Sequence, residues 1–147
     1  MPNGLLAEAQ PALRIRKKLT TKLSADRRMR ALHFIEANLH KNISLADIAE
    51  AAAMSRFHFN RSFKVSMGTT PMKYLVERRL TRAKSHMACL RKALVDISHE
   101  CGFGSQSCFT TAFRLANGDP PAAWRAKNVA QACEAACVEK CLMLQGN

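Results

Sequence analysis

Residues 55–74 read SRFHFNRSFKVSMGTTPMKY and residues 105–124 read SQSCFTTAFRLANGDPPAAW, one pattern written twice at an offset of fifty. Ser55, Phe59, Phe63, Lys64, Gly68, Pro71 and Tyr74 align with Ser105, Phe109, Phe113, Arg114, Gly118, Pro121 and Trp124, each identical or chemically close. Just upstream the offset becomes forty-nine, and Leu45, Asp47, Ile48, Ala49 and Ala53 align with Leu94, Asp96, Ile97, Ser98 and Gly102. A single unit is therefore present in two copies. The second copy carries one extra residue, for which Gly104 is the simplest candidate.

Each unit reads as two short helices with a tight break. Ser44 and Asp47 make a capping-box-like start before Leu45, Ile48 and Ala49, and a second helix begins at Ser55, whose hydroxyl is available to cap it. A break of about three residues is expected between the helices. In the second copy Gly102 and Gly104 occupy it, where glycine adopts a left-handed backbone at least cost. Small side chains at Ala49 and Ser98 let the two helices approach closely. These features specify a helix-turn-helix.

The second helix of each unit divides into two faces. At 100° per residue Phe59 and Phe63 fall on one side, while Phe57, Asn60, Arg61 and Lys64 fall on the other. In the second copy Phe109 and Phe113 point inward, leaving Ser107, Thr110, Thr111 and Arg114 outward. Tyr74 and Trp124 are read as further core aromatics. Thr70 and Pro71 then start a long helix whose apolar stripe is Val76, Leu80, Ala83, Met87 and Leu90. A helix from Pro71 to Leu90 would span about 30 Å, close to the roughly 34 Å between successive major grooves on one face of B-DNA. The fold class is all-α.

Composition agrees with a nucleic-acid partner. The 147 residues carry a formal charge of +12, which points to a polyanion, with an anionic membrane surface as the second choice. A chain this short suits one compact domain rather than a large enzyme. It contains no apolar run of membrane-spanning length, and its start, MPNGLLAEAQPALRIRKK, lacks the order of a signal peptide, so a cytoplasmic location is expected. Cysteines stand at 89, 101, 108, 133, 137 and 141 without a Cys-x-x-Cys pair. That arrangement writes neither a zinc finger nor a thioredoxin-type motif, and reduced thiols are the default.

The stretches ISLADIAEAAAMSRFHFNRSFKVSMGTTPMKYL, RLTRA and VDISHECGFGSQSCFTTAFRLANGDPPAAWR together resemble the DNA-binding domain of the AraC/XylS family of bacterial transcription regulators. The likeness runs from about Arg27 to Lys127. It implies a seven-helix domain in which two helix-turn-helix units, at 44–66 and 94–116, flank a linker helix at 71–90. It also implies binding to double-stranded promoter DNA and usually activation, with RNA polymerase as a partner. Residues 1–24 read as a basic, poorly ordered arm, 25–127 as the DNA-binding domain and 128–147 as a cysteine-containing tail. With only the short arm ahead of it, the chain resembles small members that bind as monomers, or a fragment of a larger regulator. Ser98 stands where the family usually has alanine, Pro120 where it has Ser or Thr, and Thr111 where arginine is frequent.

On this reading phosphates are neutralised by Arg56, Lys64, Lys73 and Arg114, with the arm residues Arg14, Arg16, Lys17 and Lys18 as additional contacts. Base edges are read by forked donors and amides: Arg61 suits guanine, Asn60 and Gln106 suit adenine, and Phe57 can pack on a thymine methyl. Ser107, Thr110 and Thr111 offer shorter hydroxyls in the second unit. Phe57, Asn60 and Arg61 face these three residues across the repeat, so the first unit is expected to carry most of the sequence discrimination.

Other readings are weaker. CGFGSQSCF at 101–109 lacks a preceding strand and the third glycine of a dinucleotide loop, since Ser107 stands there. Cys89 and Cys101 read as buried apolar residues, and His58 and His86 as surface residues without a nucleophile to serve. No catalytic constellation is present, so neither an enzyme nor a cofactor is expected. A DNA-repair enzyme of AraC-like type, which would need a cysteine-rich acceptor domain beside this one, is not expected. Cys133, Cys137 and Cys141, spaced i, i+4 and i+8, raise the alternative of a metal- or thiol-responsive regulator. An ideal helix spreads three such positions over about 12 Å, too far for one ion, so no metal is assigned.

Overall fold

The computed structural model describes residues 21–88 and 92–128, which form seven helices and no strand. They are α1 (Ala25–Ala37), α2 (Leu45–Ala51), α3 (Arg56–Met67), α4 (Pro71–Met87), α5 (Leu94–Glu100), α6 (Gln106–Asn117) and α7 (121–128). The helix pairs α2–α3 and α5–α6 are the two copies of the repeat, and α4 runs between them. The expected N-terminal arm and cysteine tail, including Arg14, Arg16, Lys17, Lys18, Cys133, Cys137 and Cys141, lie outside the described residues, as does Leu90.

The turn within each unit closes by the same hydrogen bonds. Ala53 N–H donates to Glu50 and Met54 N–H to Ala49; at an offset of forty-nine, Gly102 N–H donates to His99 and Phe103 N–H to Ser98. This is the Schellman arrangement, which requires a left-handed residue just past the helix end. Gly102 meets the requirement at φ 79°, and Ala53 occupies the same position at φ 51°. The offset holds through Phe103 and changes at Ser105, so the extra residue is Gly104, which is exposed with nothing packed on its α-carbon. Four residues (52–55) separate α2 from α3, and five (101–105) separate α5 from α6, rather than the three expected.

The caps are distributed unequally. Ser44 and Asp47 form the full capping box of α2, and its backbone and hydroxyl hydrogen bonds hold the Asp47 carboxyl below the usual range. Ala93 occupies the equivalent position before α5 and contributes no side chain. On the second helices the order reverses: Ser105 accepts from Cys108 N–H, whereas Ser55, expected to cap α3, makes no capping hydrogen bond. Thr70 and Pro71 start α4 as anticipated. That helix ends at Met87, three residues short of Leu90, and its 17 residues span about 25 Å rather than 30 Å.

Two cores hold the units. Phe59 and Phe63 are fully buried with Ala31, Ile35, Ile48 and Leu75 in the first, and Phe109 and Phe113 with Leu80, Ala83, Met87, Ile97 and Cys101 in the second. Tyr74 and Trp124, expected as core, are half-buried lids packed edge-on against Phe63 and Phe113 at centroid distances of 5.9 and 5.7 Å. Phe103 lies beneath the second turn, 5.2 Å from Phe109. α4 belongs to both cores, giving Leu75 to one and Leu80, Ala83 and Met87 to the other. Ser98 replaces a small apolar residue without an orphaned hydroxyl, because it donates to the Val95 carbonyl at 2.7 Å. Burial pushes the Cys101 thiol up, so it behaves as a small apolar side chain.

Exchanging the residues of the two turns has opposite effects in this geometry. Ala53 is exposed, and glycine there relieves a left-handed alanine, so Ala53→Gly should stabilise by about 0.5–1 kcal/mol. A β-carbon at Gly102 would overlap the Leu39 carbonyl oxygen and crowd the Arg79 guanidinium; Gly102→Ala should therefore cost about 2–4 kcal/mol. Urea unfolding of the two single variants measures both signs. Ala93→Ser, which restores the missing cap opposite Asp96, should raise stability by about 0.5–1 kcal/mol in the same assay.

Candidate nucleic-acid interface

The buried phenylalanines fix which side of α3 and α6 is presented. Phe59 and Phe63 have no exposed surface, so Arg56, Phe57, Arg61 and Lys64 stand in solvent and Asn60 is half-buried at the edge of the same face. Phe57 is 75% exposed. The Arg56 guanidinium lies 5.1 Å over its ring, a cation–π contact that holds a charge and an apolar surface side by side. On α6, Gln106, Ser107, Thr111 and Arg114 are exposed and Thr110 is half-buried. Gln106, Ser107, Thr110 and Thr111 line a shallow concavity on that face. The structure thus brings the expected residues into two sets, one on each helix.

Charge is partitioned in the same way. Neither α3 nor α6 contains an acidic residue. Among the described residues the ion pairs lie elsewhere: Arg30 with Asp26, Arg78 with Glu36, Lys92 with Glu100, and Lys127 with Asp119. Arg56, Arg61, Lys64, Lys73 and Arg114 form none among the described residues, so their charge is left for an outside partner.

Some features of these faces were not read from the sequence. Ser55, free of a capping role, is exposed at the start of α3 beside Arg56; nothing in a Ser before a helix distinguishes a capping hydroxyl from a free one. Leu115 is 83% exposed near the end of α6 and borders a groove with Val76, Leu80 and Ala112. His86, read as a surface residue without a nucleophile to serve, is instead half-buried, with Nδ1 2.9 Å from the Glu100 carboxylate. The partner lies across a helix boundary, so no local spacing reveals it.

Among the described residues no group of three or more His, Cys, Asp or Glu side chains is placed to hold a metal ion, and no helix is long and apolar enough to cross a membrane.

Known proteins share this architecture. A family model described as a helix-turn-helix domain matches residues 48–127, more than half of the chain. LumQ of Photobacterium leiognathi is 39% identical over 89 residues, which cover 60% of this chain and 36% of that protein. The chain thus spans about a third of the length of LumQ, and 32% of a regulator matched in Bacillus subtilis. A crystal structure of a transcriptional regulator from Chromobacterium violaceum, described as containing an AraC-type DNA-binding domain, is 34% identical with a TM-score of 0.64, covering 69% of this chain and 91% of that one. The DNA-binding domain of the global transcriptional factor AdpA, solved in complex with a target DNA, is 27% identical with a TM-score of 0.67 and covers 70% of this chain and 93% of that one. Two helix-turn-helix units in tandem, shared with these domains in sequence and in fold, mean that the chain belongs to the AraC-type helix-turn-helix family.

Proposed function

We propose that the chain is the DNA-binding part of a transcription regulator, acting by binding rather than by catalysis. In this reading α3 and α6 enter successive major grooves of promoter DNA, and the bound protein activates transcription through contact with RNA polymerase in the cytoplasm. The observation that carries the proposal is the acid-free, uncompensated surface repeated on both helices, each held by a phenylalanine pair behind it. Such a surface suits a ligand with regularly spaced negative charge.

The residues divide by chemistry. Arg56, Lys64, Lys73 and Arg114 supply charge to phosphates and position the domain. Arg61 offers a fork for guanine, Asn60 and Gln106 offer amides for adenine, and the exposed Phe57 ring offers an apolar surface to a thymine methyl. Ser107, Thr110 and Thr111 reach less far than their counterparts Phe57, Asn60 and Arg61. The first unit therefore carries most of the discrimination and the second mainly adds affinity. Because the two units lie in one chain, a monomer covers a single asymmetric site of about two helical turns.

Selection of bound duplexes from a random pool, followed by footprinting, tests the reading: one asymmetric site bound by monomer is the expected result, and an inverted repeat bound only by a dimer contradicts it. On the selected site Arg61→Ala should cost about 1–3 kcal/mol and relax preference at one base pair, while Thr111→Ala should cost little. Lys64→Ala should weaken binding equally across sequences and reduce the slope of log affinity against log salt by about one.

A further inference from the structure

Arg79 points into the protein, and its surroundings do not belong to either reading face. It sits on α4 with 8% of its surface exposed. Its Nε donates to the Leu39 carbonyl at 3.0 Å, and Nη2 donates to the Lys41 carbonyl at 2.6 Å. Both acceptors lie in the connection between α1 and α2, and Leu39 belongs to the first core. The other side of the guanidinium faces the second unit: it lies 6.0 Å from the Phe103 ring centroid, and a β-carbon at Gly102 would come within 3.0 Å of Nη2. No carboxylate pairs with it among the described ion pairs. The site does have a favourable field, because α1 and α5 both end beside it and helix C-termini carry partial negative charge.

A buried cation held only by carbonyls is costly to desolvate, and α4 already belongs to both cores without it. A single helix shared by two units fixes their separation along its axis. It leaves the rotation of one unit relative to the other to whatever bridges them off the axis. Here that bridge is the Arg79 side chain and the close approach of the Gly102 backbone to the Leu39 carbonyl.

We propose that Arg79 is a positioning residue that locks the two helix-turn-helix units in phase, and thereby sets the spacing between half-sites that the chain accepts. The proposal rests on the DNA-binding reading for its consequence, but the docking itself is a property of the free protein. Arg79 touches no DNA in this account; it acts through the angle between α3 and α6.

The test uses two readouts on the full chain. In the first, residual dipolar couplings report the relative orientation of the two units in the wild type, Arg79→Met and Arg79→Lys without DNA. The wild type should fit one alignment frame, Arg79→Met should need two, and Arg79→Lys, which keeps the charge but not the fork, should fall between them. In the second, the duplex selected by the wild type is rebuilt with one base pair added or removed between half-sites, a rotation of about 35°. The wild type should lose at least about tenfold in affinity on the altered spacings, and Arg79→Met should lose less than about threefold while binding an isolated half-site as the wild type does. An unchanged spacing profile together with a single alignment frame in Arg79→Met overturns the proposal. Loss of the folded state in both variants also overturns it, because Arg79 would then support stability and not phase. If the wild type selects no duplex, the DNA-binding reading fails, and the couplings alone decide whether Arg79 locks the units.

Discussion

Everything that α3 and α6 present to solvent depends on the burial of two phenylalanines four residues apart on each. Phe59 and Phe63, like Phe109 and Phe113, have no exposed surface, and a helix with two such anchors cannot roll about its axis without exposing one of them. Burying a phenylalanine side chain is worth about 1.5–3 kcal/mol, so rolling either helix out of its pocket is costly. The polar residues between the anchors are therefore held outward by apolar packing, and need no hydrogen bonds of their own to stay there. Tyr74 and Trp124 close the two cores from the following helices at the same pseudo-equivalent position.

Much of this was legible in the sequence because it is periodic. The inward phenylalanines, the outward face of each second helix, the Ser44–Asp47 box and the proline start of α4 each follow from spacing along one helix. The turn was legible in part: Gly102 adopts the expected left-handed conformation, whereas Gly104, expected with it, does not, and the left-handed residue of the first copy is Ala53. What escaped was decided across elements. Ser55 and Ser105 are the same letter at the same position, yet only Ser105 caps, and no local rule separates them. The end of α4 at Met87 rather than Leu90 is likewise invisible to a stripe of apolar residues that continues past it. The roles of Arg79 and His86 depend on Leu39, Lys41 and Glu100, which come from other elements.

The distribution of charge also follows a division that composition cannot express. The acidic residues Asp26, Glu36, Glu100 and Asp119 are engaged in ion pairs, and Asp47 caps α2. All are used in building the domain, and none stands on the second helix of either unit. Among the described residues charge is thus not spread evenly: no acidic residue stands on α3 or α6, and one positive charge, Arg79, is withdrawn into the interior.

The bridge at Arg79 is made by backbone carbonyls, one guanidinium and a glycine, and it uses no residue from either presented face. Its shape is consequently insensitive to which side chains those faces carry. Residues 56, 57 and 61 on α3 and 106, 107 and 111 on α6 are exposed and take no part in that bridge. The domain separates what is read from where it is read. On the DNA-binding reading proposed above, a new recognition sequence would arise by substitution on one face alone, with the register between the two faces inherited unchanged.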